Sequence, residues 1–184
     1  MNLVINKYTG IVQQAQWIAS PNHDQRPDQD DINAVIIHAI SLPPGCYEGE
    51  YVEALFTNCL NPWQHPYFKE IENHKVSAHF YIRRDGELIQ FVSILDRAWH
   101  AGESTLHGRT KVNDFSVGIE LEGCDTDQFK DRQYTQLAAL TRSLMSIYSA
   151  IKIENIAGHS DIAPGRKTDP GPGFDWEKYR KMLT

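Results

Sequence analysis

The 184-residue chain is 41% hydrophobic and 23% charged, with 12 Gly and 9 Pro, a balance that excludes disordered, collagen-like and coiled-coil classes and suits one packed core. Eighteen Lys and Arg against 24 Asp and Glu leave a net charge of -6, the wrong sign for an electrostatic grip on phosphates, so no nucleic-acid partner is expected. No apolar run reaches membrane-spanning length, and the first ten residues lack the basic and apolar regions of a secretory leader, so the expectation is a cytoplasmic monomer with no membrane partner.

Residues 1–33 are polar and punctuated at Ser20-Pro21 and Pro27-Asp28, and read as an extended segment laid over a single domain of residues 1–184. Residues 34–37 are a β-branched apolar run, the pattern of a strand buried on both faces, and the run ends at His38. After the break at Pro43-Pro44-Gly45, Tyr51, Ala54, Leu55 and Cys59 predict a helix over 50–60. The β-rich runs 76–82 and 88–94 flank an Asp85-Gly86 pair, which predicts an antiparallel hairpin.

Residues 116–122 form a further strand, with Val117, Ile119 and Leu121 on one face. Gly118, Glu120 and Glu122 occupy the other face, which is therefore not simple apolar core. Leu137, Leu140, Leu144, Ile147 and Ile151 predict a core-packing helix over 132–151 with Asp131 as its N-cap. A short strand at 153–157 leads into Gly158-His159-Ser160-Asp161, a Pro/Gly-rich loop through Gly173 and a final helix from Asp175. That loop is long for a purely structural connector.

Three cysteines, Cys46, Cys59 and Cys124, are an odd number without Cys-x-x-Cys spacing and read as reduced thiols rather than disulfides or thiolate metal ligands. The chain has eight histidines. His38 and His159 each follow a buried strand, so one sheet can bring both imidazoles to one edge, and Asp169 offers a nearby carboxylate. Two histidines, a carboxylate and an open position make a hydrolytic zinc site, although each of these residues also has an ordinary structural reading. Glu120 within an apolar strand and Lys167 in the loop are either solvent-facing charges or a base that deprotonates water and a cation that stabilises an oxyanion. His65, His74 and His107 sit in polar loops and read as surface residues. His79 and His100 either line a pocket or hydrogen-bond within the core.

Larger motifs run through the whole chain: Ser20-Pro21-Asn22-His23-Asp24, Val35-Ile36-Ile37-His38, Ser41-Leu42-Pro43-Pro44-Gly45, His65-Pro66-Tyr67-Phe68 and Val76-Ser77-Ala78-His79. They continue with Arg97-Ala98-Trp99-His100-Ala101-Gly102, Asn113-Asp114-Phe115-Ser116-Val117-Gly118-Ile119-Glu120 and Ala163-Pro164-Gly165-Arg166-Lys167-Thr168-Asp169-Pro170-Gly171. In these the sequence resembles the zinc-dependent N-acetylmuramoyl-L-alanine amidases, closely their AmpD type. The resemblance implies an α/β (α+β) single domain with a mixed central sheet flanked by helices. It implies one Zn²⁺ per chain held by His38, His159 and Asp169, with Glu120 activating water and Lys167 stabilising the oxyanion. The implied substrate is a muropeptide, cut between the 1,6-anhydro-muramoyl lactyl group and L-alanine during cell-wall recycling. An amidase for intact peptidoglycan and a non-catalytic muropeptide-binding module are the alternatives.

Phage-type relatives carry Tyr where Ala78 stands, which leaves the base role to Glu120. AmpD-type chains usually carry Asn where Ala39 stands and Arg where Lys75 and Lys111 stand. If Lys75 and Lys111 meet substrate carboxylates, they keep the charge and lose the bidentate fork.

Overall fold

The structure is a computed structural model, and it describes residues 3–184; the first two residues of the expected N-terminal segment lie outside it. Its frame is a mixed six-stranded sheet. In chain order the strands are β1 (Gln16–Trp17), β2 (Ala34–Ile40), β3 (Phe80–Ile82), β4 (Leu88–Gln90), β5 (Ser116–Glu122) and β6 (Ile156–Gly158). In space they run β6-β2-β5-β3-β4-β1. β5 pairs in parallel with both β2 and β3, and β2 pairs in parallel with β6. β3 and β4 form the expected antiparallel hairpin, with Gly86 supplying the positive φ that its turn requires.

The side-chain alternation of β2 and β5 divides the sheet into two unlike faces. Val35, Ile37, Val117, Ile119 and Leu121 share one hydrophobic cluster with Leu137, Leu140 and Leu144 of the helix α3 (Asp131–Ile147). On the opposite face, Ala34 and Ile36 pack with Ala101, Val112 and Phe115, while Tyr81 packs with Val52, Leu55 and Phe56. The last three belong to α1 (Tyr51–Phe56), and α2 (Pro66–Ile71) adds Phe68 and Ile71 to the same cluster. His38 and Glu120 lie on this second face.

Several predicted boundaries shift for local reasons. α1 ends at Phe56 rather than at 60, because Asn58 enters the left-handed region. The Cys59 N–H then bonds the Ala54 carbonyl at 2.7 Å and the Asn58 N–H bonds that of Leu55 at 3.1 Å, closing a Schellman motif. α3 begins at Asp131, with Lys130 and not Asp131 as its N-cap, because the Gln133 side chain accepts from the Lys130 N–H at 3.0 Å. It stops at Ile147, and a turn at Tyr148 carries Ile151 back into the core. The strand expected at 153–157 is a 3₁₀ turn, Ile153–Asn155, followed by β6. Of runs 76–82 and 88–94, only the residues next to the turn, Phe80–Ile82 and Leu88–Gln90, stay in the ladder. The buried Gln90 side chain bonds Val12, Gly10 and Val92 backbone groups beyond it.

The N-terminal segment is more structured than an extended strap. Ile5–Asn6 pairs with Ile11–Val12, β1 joins the sheet edge, and His23–Gln25 pairs with Asp96–Ala98. Its Leu3, Ile5 and Val12 enter the α3 cluster. At the far end, α5 (Trp176–Lys181) places Tyr179 against buried Thr141 of α3, with the hydroxyls 2.7 Å apart.

Leu140 is fully buried between α3 and the sheet. Leu140→Ala is expected to lower unfolding stability by about 2–5 kcal/mol, read as a lower denaturant midpoint at unchanged slope.

Candidate active site

The parallel register of β2 against β5 sets Glu120 directly opposite His38, so both side chains project from the same face of the sheet. The β2 strand runs past His38 to Ile40, instead of ending at the histidine. His159 is the first residue of the short helix α4 (His159–Ile162), immediately after β6, and β6 lies beside β2. The turn into α4 is fixed by the Asp161 carboxylate, which accepts from the Gly158 N–H at 2.7 Å. The Ser160 N–H donates to the Asp169 carbonyl at 2.9 Å and holds the following loop against the same turn.

These anchors make three side-chain atoms converge. His38 Nδ1 lies 3.0 Å from His159 Nδ1 and 3.3 Å from Asp169 Oδ2, and His159 Nδ1 lies 3.1 Å from the same oxygen. Ligands about 2.0–2.1 Å from a tetrahedral zinc ion stand about 3.3 Å apart, so the observed spacings fit such a centre. The opposite ring nitrogen of His159, Nε2, lies 3.2 Å from the Ala101 carbonyl, an acceptor only, and so carries that ring's proton. His159 Nδ1 is therefore a lone pair aimed at the other two atoms. Three electron-rich atoms packed this closely require a proton or a cation between them.

Burial lowers the His38 pKa to about 4, against the opposing pull of Asp169. Burial pushes the Asp169 carboxyl up, but contact with the His159 and His38 rings outweighs it and holds the group well below the ordinary carboxylate range. A neutral imidazole beside an ionised carboxylate is the protonation pattern that a divalent cation needs. Glu120 differs. Burial raises its pKa well above the ordinary value, the charge of Asp169 adds to the rise, and Lys167 opposes it. Its Oε2 is buried with no hydrogen-bond partner among the described residues, the signature of a group whose partner is a water or a ligand.

His159, Asp169, Glu120 and Lys167 all line one open cleft of about 590 Å³. Its walls include Ala39, Leu42, Tyr67, Ile71, His74 and Trp99. Lys167 is exposed at the rim, opposite in charge to the two carboxylates. Lys75 is exposed between the wall residues His74 and Val76, whereas Lys111 is exposed in a left-handed turn outside the cleft lining. His65 caps α2 through its Nδ1 and, like His74 and His107, is exposed. Of the two histidines with open readings, His100 lines the cleft and touches His38, while His79 is buried behind it and accepts from the Gly118 N–H. Cys124 lines the cleft near Ser41, a position that its neighbours in the sequence did not signal.

Residues 28–172 match the family described as N-acetylmuramoyl-L-alanine amidase. The 1,6-anhydro-N-acetylmuramyl-L-alanine amidase AmpD of Escherichia coli K12 is 52% identical over 170 residues, 92% of either chain. A crystal structure of a Se-Met AmpD derivative superimposes with a TM-score of 0.94 at 49% identity, covering 98% of this chain and 99% of that one. A more distant neighbour is the E. coli amidase AmiD, solved with anhydro-N-acetylmuramic acid-L-Ala-D-gamma-Glu-L-Lys. It is 27% identical with a TM-score of 0.60 over 98% of this chain and 65% of that one. With a matched region that spans both candidate histidines, Glu120, Lys167 and Asp169, this chain belongs to the N-acetylmuramoyl-L-alanine amidase family.

Proposed function

We propose that the protein is a zinc hydrolase of peptidoglycan recycling. It cleaves the amide between the lactyl group of 1,6-anhydro-N-acetylmuramic acid and the L-alanine of the stem peptide, and works in the cytoplasm as a monomer. The observation that carries this reading is the convergence of His38 Nδ1, His159 Nδ1 and Asp169 Oδ2 within 3.0–3.3 Å of one another, beside the unpartnered carboxylate of Glu120. The anhydro-muramoyl substrate is supported by the AmpD relatives, which share about half of their residues with this chain over almost the whole length. Among the described residues no helix is long and apolar enough to cross a membrane.

His38, His159 and Asp169 would hold one Zn²⁺ through two neutral nitrogens and one anionic oxygen. Bound there, zinc supplies a Lewis acid that polarises the scissile carbonyl and lowers the pKa of water to about 7. Glu120 removes the proton of the attacking water at its free Oε2 and then delivers it to the departing alanine nitrogen, because an amine anion is too basic to leave unprotonated. Its raised pKa suits both duties, since the carboxyl can hold the proton between the two steps. Lys167 places an ammonium beside the carbonyl oxygen as negative charge develops there. Lys75, between the cleft residues His74 and Val76, supplies a cation for stem-peptide carboxylates. The same role for Lys111 rests on the family resemblance alone.

A buried carboxyl with a raised pKa has a definite cost. Its folded pKa lies above the unfolded one, so the metal-free protein loses stability as pH rises through that interval. Glu120→Gln removes the ionisable group, and at neutral pH the metal-free variant is expected to melt roughly 2–4 °C higher for each kcal/mol regained. The same variant should retain zinc and lose at least 100-fold in kcat, about the contribution of a positioned proton-transfer group. Wild-type turnover in Glu120→Gln would move the base elsewhere.

Chelation is expected to abolish release of stem peptide from anhydro-muropeptide, and stoichiometric Zn²⁺ to restore it, as read by mass spectrometry of the products. Full turnover by the metal-free protein would overturn the zinc reading. Binding without cleavage by the zinc-loaded protein would make it a muropeptide-binding module.

A further inference from the structure

A row of buried polar side chains lies behind the metal-binding atoms and takes no part in the steps above. His38 Nε2 is 2.9 Å from His100 Nδ1, His100 Nε2 is 3.2 Å from Ser116 Oγ, and Ser116 Oγ is 2.6 Å from the Val112 carbonyl. The direction of this chain is fixed from its far end. A carbonyl only accepts, so the Ser116 hydroxyl donates to Val112, and its oxygen accepts from His100 Nε2–H. A neutral imidazole has one N–H, which leaves His100 Nδ1 as the acceptor for His38 Nε2–H. His38 is thereby left with a lone pair at Nδ1, the atom that faces His159 and Asp169.

The place of the His100 ring is built into the neighbouring strand. Gly118 lies in the middle of β5 with a backbone open to any residue, yet a Cβ there would stand 2.4 Å from His100 Cγ. A glycine within a strand marks a close approach, and here the approaching group is the imidazole. The backbone of the loop is held as well, since Asn113 Oδ1 accepts from the N–H groups of His100 at 3.2 Å and Ala101 at 2.8 Å. Ala101 is the residue whose carbonyl receives His159 Nε2–H. One two-residue stretch, His100-Ala101, thus orients both histidines.

We propose that His100, seated on Gly118, is a positioning residue that fixes the ring and tautomer of His38 for metal binding, and that position 118 lacks a side chain to make room for it. This rests on the zinc reading. Partners of ligating histidines commonly change metal affinity by about 10–100-fold when removed.

The test uses the full-length protein, stripped and titrated with Zn²⁺ alone against a chromophoric chelator, with circular dichroism to verify folding. His100→Phe keeps a ring but neither nitrogen, and should weaken zinc by roughly 10–100-fold. His100→Gln can accept from His38 and donate to Ser116, and should recover most of that loss. Gly118→Ala deletes no polar group and should weaken zinc in the same direction by displacing the ring. The visible bands of the Co²⁺-loaded protein should shift in His100→Phe and return in His100→Gln, which a purely structural role would not produce. Zinc affinity of His100→Phe within about twofold of wild type, or a His100→Gln no better than His100→Phe, would overturn the role. If His100→Phe does not fold, Ser116→Ala decides, since it removes the far acceptor without touching His38. A loss of about threefold or more supports the role, and unchanged affinity overturns it. A wild-type protein that binds no zinc defeats this inference together with the zinc reading, whereas wild-type binding and cleavage with indifferent variants defeats only the positioning role.

Discussion

The parallel ladder between Ala34–Ile40 and Ser116–Glu122 is the constraint on which the rest of the molecule depends. Its register pairs Ile37 with Ile119 and His38 with Glu120. Because side chains alternate along a strand, the same seven-residue pairing buries one face under α3 and presents the other to the cleft. A slip of one residue would exchange the two sets, burying His38 among leucines and exposing valines and isoleucines. The apolar face therefore does more than stabilise the sheet. It fixes the register, and the register places Glu120 beside His38.

The polar face carries an unusual load for a protein interior: His38, His79, His100, His159, Glu120 and Arg26 are all buried. Most of these groups are satisfied by partners that accept or donate in only one way. Arg26 donates to the carbonyls of Ile94, Asn113, Asp114 and Ser116, and so ties the N-terminal segment to both sides of the site. Burial lowers its pKa to about 10, which still leaves the guanidinium charged at neutral pH. Burial is the main force keeping the His79 imidazole neutral, and that fixed cation, with its Nη2 2.9 Å from His79 Nε2, adds to it. A neutral row of rings can transmit a defined proton arrangement, which a partly protonated row could not. The exception is Glu120, whose Oε2 has no hydrogen-bond partner among the described residues.

Much of this was legible in the residues. The alternation in 116–122 separated a packing face from a polar one, and the leucine spacing of α3 identified the helix that covers the first. The Asp85-Gly86 turn fixed the hairpin. His38 stood out at the end of the apolar run 34–37 and His159 after the short strand read at 153–157, and the motifs around Lys167 and Asp169 pointed to the same family as the matched region. Boundaries were less legible, because they turn on single local details: Gln133 reaches back to Lys130, and Asn58 takes a left-handed conformation. His100 was ambiguous because its partners are distant. Its neighbours in sequence describe a tight loop, but its contacts, His38, Ser116 and Gly118, come from strands elsewhere in the chain.

The loop that carries Lys167 and Asp169 shows how composition misleads about rigidity. Its Pro170-Gly171-Pro172-Gly173 stretch has the make-up of a flexible connector, yet two of its glycines are there for contact. A Cβ on Gly171 would fall 2.3 Å from the Asp125 Cα, one on Gly173 would overlap the Asp127 carbonyl, and the Gly173 N–H bonds the Asp125 carbonyl at 2.9 Å. Segment 125–127 follows directly from β5 and Gly123. Glu120 on β5 and Asp169 on the loop are therefore held against one another from behind, through backbone contacts that only glycine permits. Held in this way, the loop sets the Asp169 side chain against His38 and His159 and leaves Lys167 exposed at the cleft rim. A site drawn from three separate stretches of chain needs that fixation, since a displacement of even an ångström would open the 3 Å spacings on which the proposed metal binding depends.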